Sequence, residues 1–212
     1  LIAAVAIFAC SATKKQLVKN EEVVALVPSL ELVWETDTLM TTAECVIYDD
    51  KRNLIYVANI NLNPWEKDGN GFISKIDTLG NIVDLKWVSG LDAPKGLGIF
   101  NNSLFVNDID QIIEIDLSSG NIKGRTKIGG NPTLNDLTIA EDGTLYASGS
   151  DSQSIFKSSN GIVEILLSGD LGRPNGLLYE KDRLLMLTNQ THLLESINVE
   201  TKERTVLADS LG

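Results

Sequence analysis

Asn135-Asp136-Leu137-Thr138-Ile139-Ala140-Glu141-Asp142-Gly143-Thr144-Leu145-Tyr146-Ala147-Ser148-Gly149 is the stretch that decides how this chain folds. Apolar residues alternate, a Glu-Asp-Gly turn interrupts them, and alternation resumes, which is the signature of two antiparallel strands and their hairpin. The pattern then continues with a strand near 154–158, the turn Ser159-Asn160-Gly161 and a strand at 162–167. One unit of sequence therefore predicts a four-stranded meander.

The same unit recurs along the chain. Glu44-Cys45-Val46-Ile47-Tyr48, Lys95-Gly96-Leu97-Gly98-Ile99, Asn135-Asp136-Leu137-Thr138-Ile139 and Asn175-Gly176-Leu177-Leu178-Tyr179 occupy one phase, with successive spacings of 51, 40 and 40 residues. The longer first spacing is accounted for by a polar insertion, Asn61 to Gly71, placed where a hairpin loop belongs. In the first repeat the strands read Val46 to Tyr48, Leu54 to Asn59, Phe72 to Ile76 and Ile82 to Val88. Four strands per period of about forty residues match a β-propeller blade, whereas solenoid repeats of this length usually contain helix. The expected fold is all-β, with blades starting near 44, 95, 135 and 175 within residues 30–212. Asp209-Ser210-Leu211-Gly212 reads as the opening of another inter-blade link, so an open ring is expected, a closed four-bladed ring being the alternative. Leu30 to Glu35 has strand character and is a candidate outer strand.

Ahead of the repeats, Leu1 to Ala9 is wholly apolar, too short to span a bilayer as a helix and typical of an export signal. Ile7-Phe8-Ala9-Cys10 resembles a bacterial lipobox, in which the Cys is acylated. Residues 1–10 then read as a signal-peptide remnant and 11–29 as a polar tether, giving an exported cell-envelope or periplasmic lipoprotein held to the membrane only by lipid at Cys10. The second cysteine, Cys45, reads as a small buried hydrophobe.

A formal charge of −11 among 212 residues argues against nucleic acid, whose phosphates call for clustered Lys and Arg. An acidic surface suits a cation, or simply keeps the protein soluble. Repetition sharpens the first of these. In a propeller the innermost strand of each blade lines the central channel, so Glu44, Lys95, Asn135 and Asn175 should form a ring at one height. Carboxylate and amide oxygens from Glu44, Asn135 and Asn175 are the donors a hard cation such as calcium takes, within a total of about six to eight ligands. Lys95 would either pair with Glu44 in place of a metal or orient an anionic ligand.

Ala43-Glu44, Leu134-Asn135-Asp136 and Pro174-Asn175-Gly176-Leu177, in this order and common phase, resemble the gluconolactonase and senescence-marker-protein (regucalcin) family of six-bladed propellers. The resemblance runs from about residue 40 to 212. It implies a divalent metal, calcium above all, on Glu44 and Asn175, with Asn135 near metal and substrate and a further Asp supplied after Gly212. The implied activity is hydrolysis of a lactone or related ester, the metal polarising the carbonyl and the later Asp acting as base. Two positions depart from the family: its Glu-Gly-Pro is Glu44-Cys45-Val46 here, and a substrate-binding Arg two residues before the central Asn is Thr133.

Other motifs carry less. Glu66 to Asp77 is spaced like an EF-hand calcium loop, but Pro64-Trp65 precede it and a strand pattern follows, so it reads as the insertion turning through Gly69-Asn70-Gly71. His192, the only histidine, lies out of phase with the ring and reads as a surface loop residue. Asp108-Ile109-Asp110 reads as a solvated strand end. Trp34, Trp65 and Trp87 read as packing residues in no common phase. Two functions stay open: a metal-dependent lactonase-like hydrolase, favoured by the phase of Glu44, Asn135 and Asn175, and a non-catalytic envelope propeller binding a protein or small ligand, favoured by Lys95, Thr133 and the lost Glu-Gly-Pro.

Overall fold

The computed structural model describes residues 31–211; the expected signal segment, the lipobox Cys10 and the tether lie outside them. Sixteen strands form four sheets of four antiparallel strands each, every sheet a simple meander in chain order. The first comprises β1 (Ala43–Asp49), β2 (Leu54–Asn59), β3 (Gly71–Asp77) and β4 (Ile82–Leu91). The second comprises β5 (Pro94–Phe100), β6 (Ser103–Asp108), β7 (Gln111–Asp116) and β8 (Ile122–Lys127). The third holds β9 (Leu134–Ile139), β10 (Leu145–Gly149), β11 (Ser154–Ser159) and β12 (Ile162–Ser168). The fourth holds β13 (Pro174–Glu180), β14 (Arg183–Thr188), β15 (Leu194–Asn198) and β16 (Arg204–Ala208). Each sheet starts one residue before the position expected from the repeat. Glu31 to Glu35, expected in part as a strand, carries none.

The first strand of each sheet packs against the first strand of the next, in the order β1, β5, β9, β13, which is how propeller blades converge on an axis. Alternation along these inner strands gives each blade two faces. Leu97, Leu137 and Leu177 pack back against the preceding blade, whereas Gly96 and Asp136 meet the following one. Three large apolar cores lie among the described residues, one per blade junction, with a small fourth formed by Ile60, Ala93 and Ile109. Tyr56, Ile73 and Leu91 meet Leu97 and Leu104; Ile112 and Ile128 meet Leu134 and Leu137; Tyr146 and Ile155 meet Leu177 and Met186. The Tyr146 and Tyr179 rings stack across the last junction at 5.6 Å.

Glycine is required where β5 approaches β9. A Cβ on Gly96 would lie 2.6 Å from the Asp136 Cα, a main-chain atom that cannot move aside. Hydrogen bonds fasten the same junctions: Asn107 Nδ2 donates to the Asp136 carbonyl at 2.8 Å, and Ser148 Oγ to the Asn175 carbonyl at 2.6 Å. The Asp136 carboxylate accepts the Leu177 N–H at 2.8 Å, and Thr138 Oγ1 accepts the Tyr179 N–H at 2.9 Å.

Two tryptophans share a structural duty that their spacing of 53 residues obscured. The Trp34 ring lies where a Cβ of Gly80, in the β3–β4 turn, would be, and the Trp87 ring lies likewise over Gly120 in the β7–β8 turn. Both are packing residues, but they act at corresponding positions of successive blades.

Candidate functional site

Every inner strand breaks register at the same place. Ala43 pairs with Asn59 and Cys45 with Ala58, which leaves Glu44 as the extra residue. Likewise Lys95-Gly96 opposes Asn107 alone, Asn135-Asp136 opposes Ser148 alone, and Asn175-Gly176 opposes Leu187 alone. These are β-bulges, which unpair a residue and re-aim its side chain, and they are enriched beside functional sites. All four expected ring residues thus occupy bulges, at the end of the blades where the β4–β5-type links arrive. Pro94 and Pro174, which have no N–H to give the ladder, introduce two of them.

Three of the four side chains have unspent oxygens. Hydrogen bonds from described residues reach only the main-chain carbonyls of Asn135 and Asn175. Asn135 is buried and Asn175 half-buried. Glu44 remains open to solvent on one side, yet its carboxyl is pushed from the usual 4.5 up to about 7. Crowding by the surrounding strands is the main cause; the Lys95 charge opposes it and the Asp136 charge adds to it.

Lys95 behaves otherwise. No ion pair with Glu44 forms within 4 Å among the described residues. The side chain is only 2% exposed, and Nζ donates to the carbonyls of Pro64 at 2.7 Å and Ala93 at 3.0 Å. Nζ also lies 4.2 Å from the centroid of the Trp65 ring. Burial lowers its pKa to about 8, against the raising charges of Glu44 and Asp108. Its ammonium therefore holds the Asn61–Asn70 insertion, a strap that leaves blade one and crosses onto blade two. This role was invisible in the sequence, because an insertion without periodicity does not declare where it folds.

Nearby carboxylates are occupied. Asp108, expected as a solvated strand end, is fully buried and accepts the N–H groups of Asp92 at 3.0 Å and Ala93 at 2.7 Å. Burial raises the pKa of both Asp108 and Asp136. Thr133, in place of the family's Arg, closes a loop: Oγ1 donates to the Pro132 carbonyl at 2.7 Å and accepts the Asp151 N–H at 2.8 Å. Cys45, expected to be buried, is only half-buried, and burial pushes its thiol up to about 11, away from reactivity.

His192 sits in a surface loop, as read from the sequence. That loop, the β14–β15 turn, folds inward, so His192, Thr188 and Asn189 line a cleft of about 460 Å³ together with Asn175. Repeat phase could not reveal it, since the phase of the inner strand says nothing about a turn at the same end of the blade. The EF-hand-like run turns through the strap, and Asp68 Oδ1 accepts the Asn70 N–H at 3.1 Å. That bond belongs to an Asx turn. Among the described residues no group of three His, Cys, Asp or Glu converges as a metal cluster, so a cation here depends on amide oxygens beside Glu44.

Solved structures resemble this fold. Virginiamycin B lyase from Staphylococcus aureus superimposes with a TM-score of 0.59 at 14% identity, over 78% of this chain and 55% of that one. A catalytically inactive form of the same lyase with quinupristin gives 0.57 at 15%, over 83% and 73%. A chain of the nidogen/laminin complex gives 0.69 at 19% identity, over 81% and 66%. The chain therefore spans little more than half of the first lyase chain and about two thirds of the nidogen/laminin chain. All are β-propellers, and at such identities the likeness is one of fold. No family model matches the sequence, and no curated protein matches it.

Proposed function

We propose that the bulged end of the inner strands holds a divalent cation, calcium by its donor chemistry, through Glu44, Asn135 and Asn175, and that the site serves hydrolysis of a lactone or related ester. The observation that carries this reading is the common bulge, which turns three oxygen-bearing side chains out of the ladder and leaves them without described partners. A carboxyl displaced to about 7 gains most from a positive charge beside it. Three side chains fall short of the six to eight oxygens calcium takes, so water and other donors complete the shell. When bound, such an ion polarises a carbonyl and acidifies water. Glu44 would hold it by charge, while the two amides would orient it.

The test is calorimetric titration with Ca²⁺, followed by a sugar-lactone assay with and without the ion. Binding lost in Glu44→Gln, and hydrolysis that requires the ion, support the proposal. Unchanged affinity in Glu44→Gln sinks the cation reading; ion binding with no hydrolysis sinks the enzymatic one.

A second reading, a non-catalytic propeller that binds a protein or small ligand at the cell envelope, is favoured by the carboxylates around the site. Asp108 and Asp136 both spend their oxygens on main-chain N–H groups, which leaves neither as a ready general base. Envelope placement through lipid at Cys10 belongs to both readings, and incorporation of labelled palmitate that is lost in Cys10→Ser tests it.

A further inference from the structure

The β2–β3 connection of blade one runs from Ile60 to Asn70, whereas its counterpart in blade two is only Ile109 and Asp110. Both lie at the end of the blades that carries the ring residues. The long connection lies across the next blade. Lys67 pairs with Asp110 at 2.5 Å, the Gly69 N–H donates to Asp92 Oδ1 at 3.1 Å, and Pro64 and Trp65 receive the Lys95 ammonium. The strap is entered through two consecutive residues with positive φ, Asn61 at 58° and Leu62 at 107°. The second value is costly for a residue with a Cβ, so the entry is strained while the far anchors hold. Leu62 is also largely exposed, so its side chain adds little packing, and the entry is held by the Leu62 N–H donating to Thr42 Oγ1 at 3.3 Å.

The anchor at Lys95 is electrostatically connected to the candidate site. Glu44 and Lys95 occupy the same bulge position on β1 and β5, two strands that pack against each other. The charges of Glu44 and Asp108 both favour the ammonium, while Asp136 on β9 opposes ionisation of Glu44. Asp108 is committed to the Asp92 and Ala93 N–H groups, so Glu44 is the variable member of the set.

We propose that Lys95 is the positioning residue of this site: by clasping the strap it competes with a cation at Glu44, so that strap release and cation uptake are one linked event. The proposal rests on the cation reading given above. A divalent ion on Glu44 withdraws one of the two carboxylates that stabilise a charge inside the protein and adds a repelling charge close by. The ammonium then loses its hold on Pro64 and Trp65, and the strained entry at Leu62 favours lifting of the strap. Linkage requires the converse as well: any change that lifts the strap must tighten cation binding by the same factor.

The experiment uses the full chain and Ca²⁺ alone as probe, with affinity read by calorimetry and strap closure read by hydrogen exchange at Leu62, Trp65 and Gly69. Lys95→Met keeps the stem of the side chain and removes the charge. It should expose those amides without any ion and tighten Ca²⁺ binding by about tenfold, within the usual span of such couplings. Lys95→Arg should restore both protection and the weaker affinity, which a merely structural role would not require. Trp65→Ala, which leaves the buried ammonium in place, should shift both readouts in the same direction by a smaller factor. Glu44→Gln should lose the ion and, because it removes one of the two carboxylates without adding a repelling charge, raise strap exchange by less than Lys95→Met does. Strap amides that stay protected in Lys95→Met, or weaker Ca²⁺ binding in that variant, overturn the proposal. Ca²⁺ uptake with no change in strap exchange overturns the linkage and leaves the cation reading standing, whereas no uptake by the native chain overturns both.

Discussion

Val46 and Leu137 occupy the same place in the repeat, and only their neighbours differ. Leu137 on β9 is 3% exposed, packed between blades two and three; Val46 on β1 has no blade beside it among the described residues and is 66% exposed. The same holds for the opposite faces, where Gly96 is pressed against the β9 main chain while Gly176 on β13 has only the flexible Leu187 side chain within reach. Identical local sequence logic therefore has different energetic weight at a blade junction and on a flank. What makes a propeller position critical is the neighbouring blade rather than the strand that carries it.

The sharpest test of that contrast is a matched pair. Leu137→Ala should cost about 3 kcal/mol or more, from lost transfer energy and a cavity between two blades. Val46→Ala should stay within about 0.5 kcal/mol, as exposed substitutions do. Urea unfolding of both variants checks the difference, and equal costs would mean that the junction does not govern stability. Gly96→Ala and Gly176→Ala form a second pair with a smaller expected gap. The first forces a methyl to 2.6 Å from the Asp136 Cα and should cost about 2 kcal/mol, whereas the second meets Leu187 atoms at 3.4 Å or beyond and should be nearly neutral.

Glu44 extends the comparison to pH, because its environment comes from two junctions at once. Its carboxyl ionises near 4.5 when unfolded and at about 7 when folded. Between those values the folded chain binds more protons than the unfolded one, so stability falls as pH rises through the window. Glu44→Gln should flatten this slope and stabilise the chain at pH 8 by about 1 kcal/mol, a figure reduced from the full shift because solvent screens an exposed carboxyl. Denaturation midpoints at pH 4.5 and 8 provide the measurement. A native chain whose stability stays level across that range, or a variant whose stability falls as steeply as the native chain's, removes the basis for a strained Glu44.

Sequence carried the blades and missed the bulges, for a reason that lies in the physics of each. Turn residues such as Glu141-Asp142-Gly143 and alternation such as Leu145 to Ala147 are local, and period is their sum along the chain. A bulge is a mismatch between two strands, so Ala43 opposite Asn59 with Glu44 left over cannot be read from either strand alone. The phase of the ring was still readable, since the bulge recurs in every blade and displaces each ring residue in the same way. Lys95 shares the bulge position with the other three residues, but its ammonium turns to the Ala93 carbonyl and to Pro64 of an aperiodic insertion, which repeat phase does not reveal. Trp34 precedes the start of β1 by nine residues and Trp87 that of β5 by seven, so the difference in their phase lies in the links to the inner strands.

The smallest expected effect concerns the strap's resemblance to a calcium loop, and it distinguishes a peripheral ion site from an axial one. Asp68 Oδ1 accepts the Asn70 N–H, and its other oxygen receives the Asn70 side-chain amide, so the residue is consumed in shaping a turn. Gly69 adopts a φ of 69°, which that turn needs and which glycine supplies without strain. Removing the carboxylate in Asp68→Ala should therefore cost about 0.5 kcal/mol of stability by loss of an exposed Asx turn, with Ca²⁺ affinity unchanged within twofold. Glu44→Gln, by contrast, should abolish measurable uptake at the same ion concentration. If Asp68→Ala weakens calcium binding and Glu44→Gln does not, the ion belongs to the strap, and the bulged ring is left as a means of turning inner strands into the blade junctions.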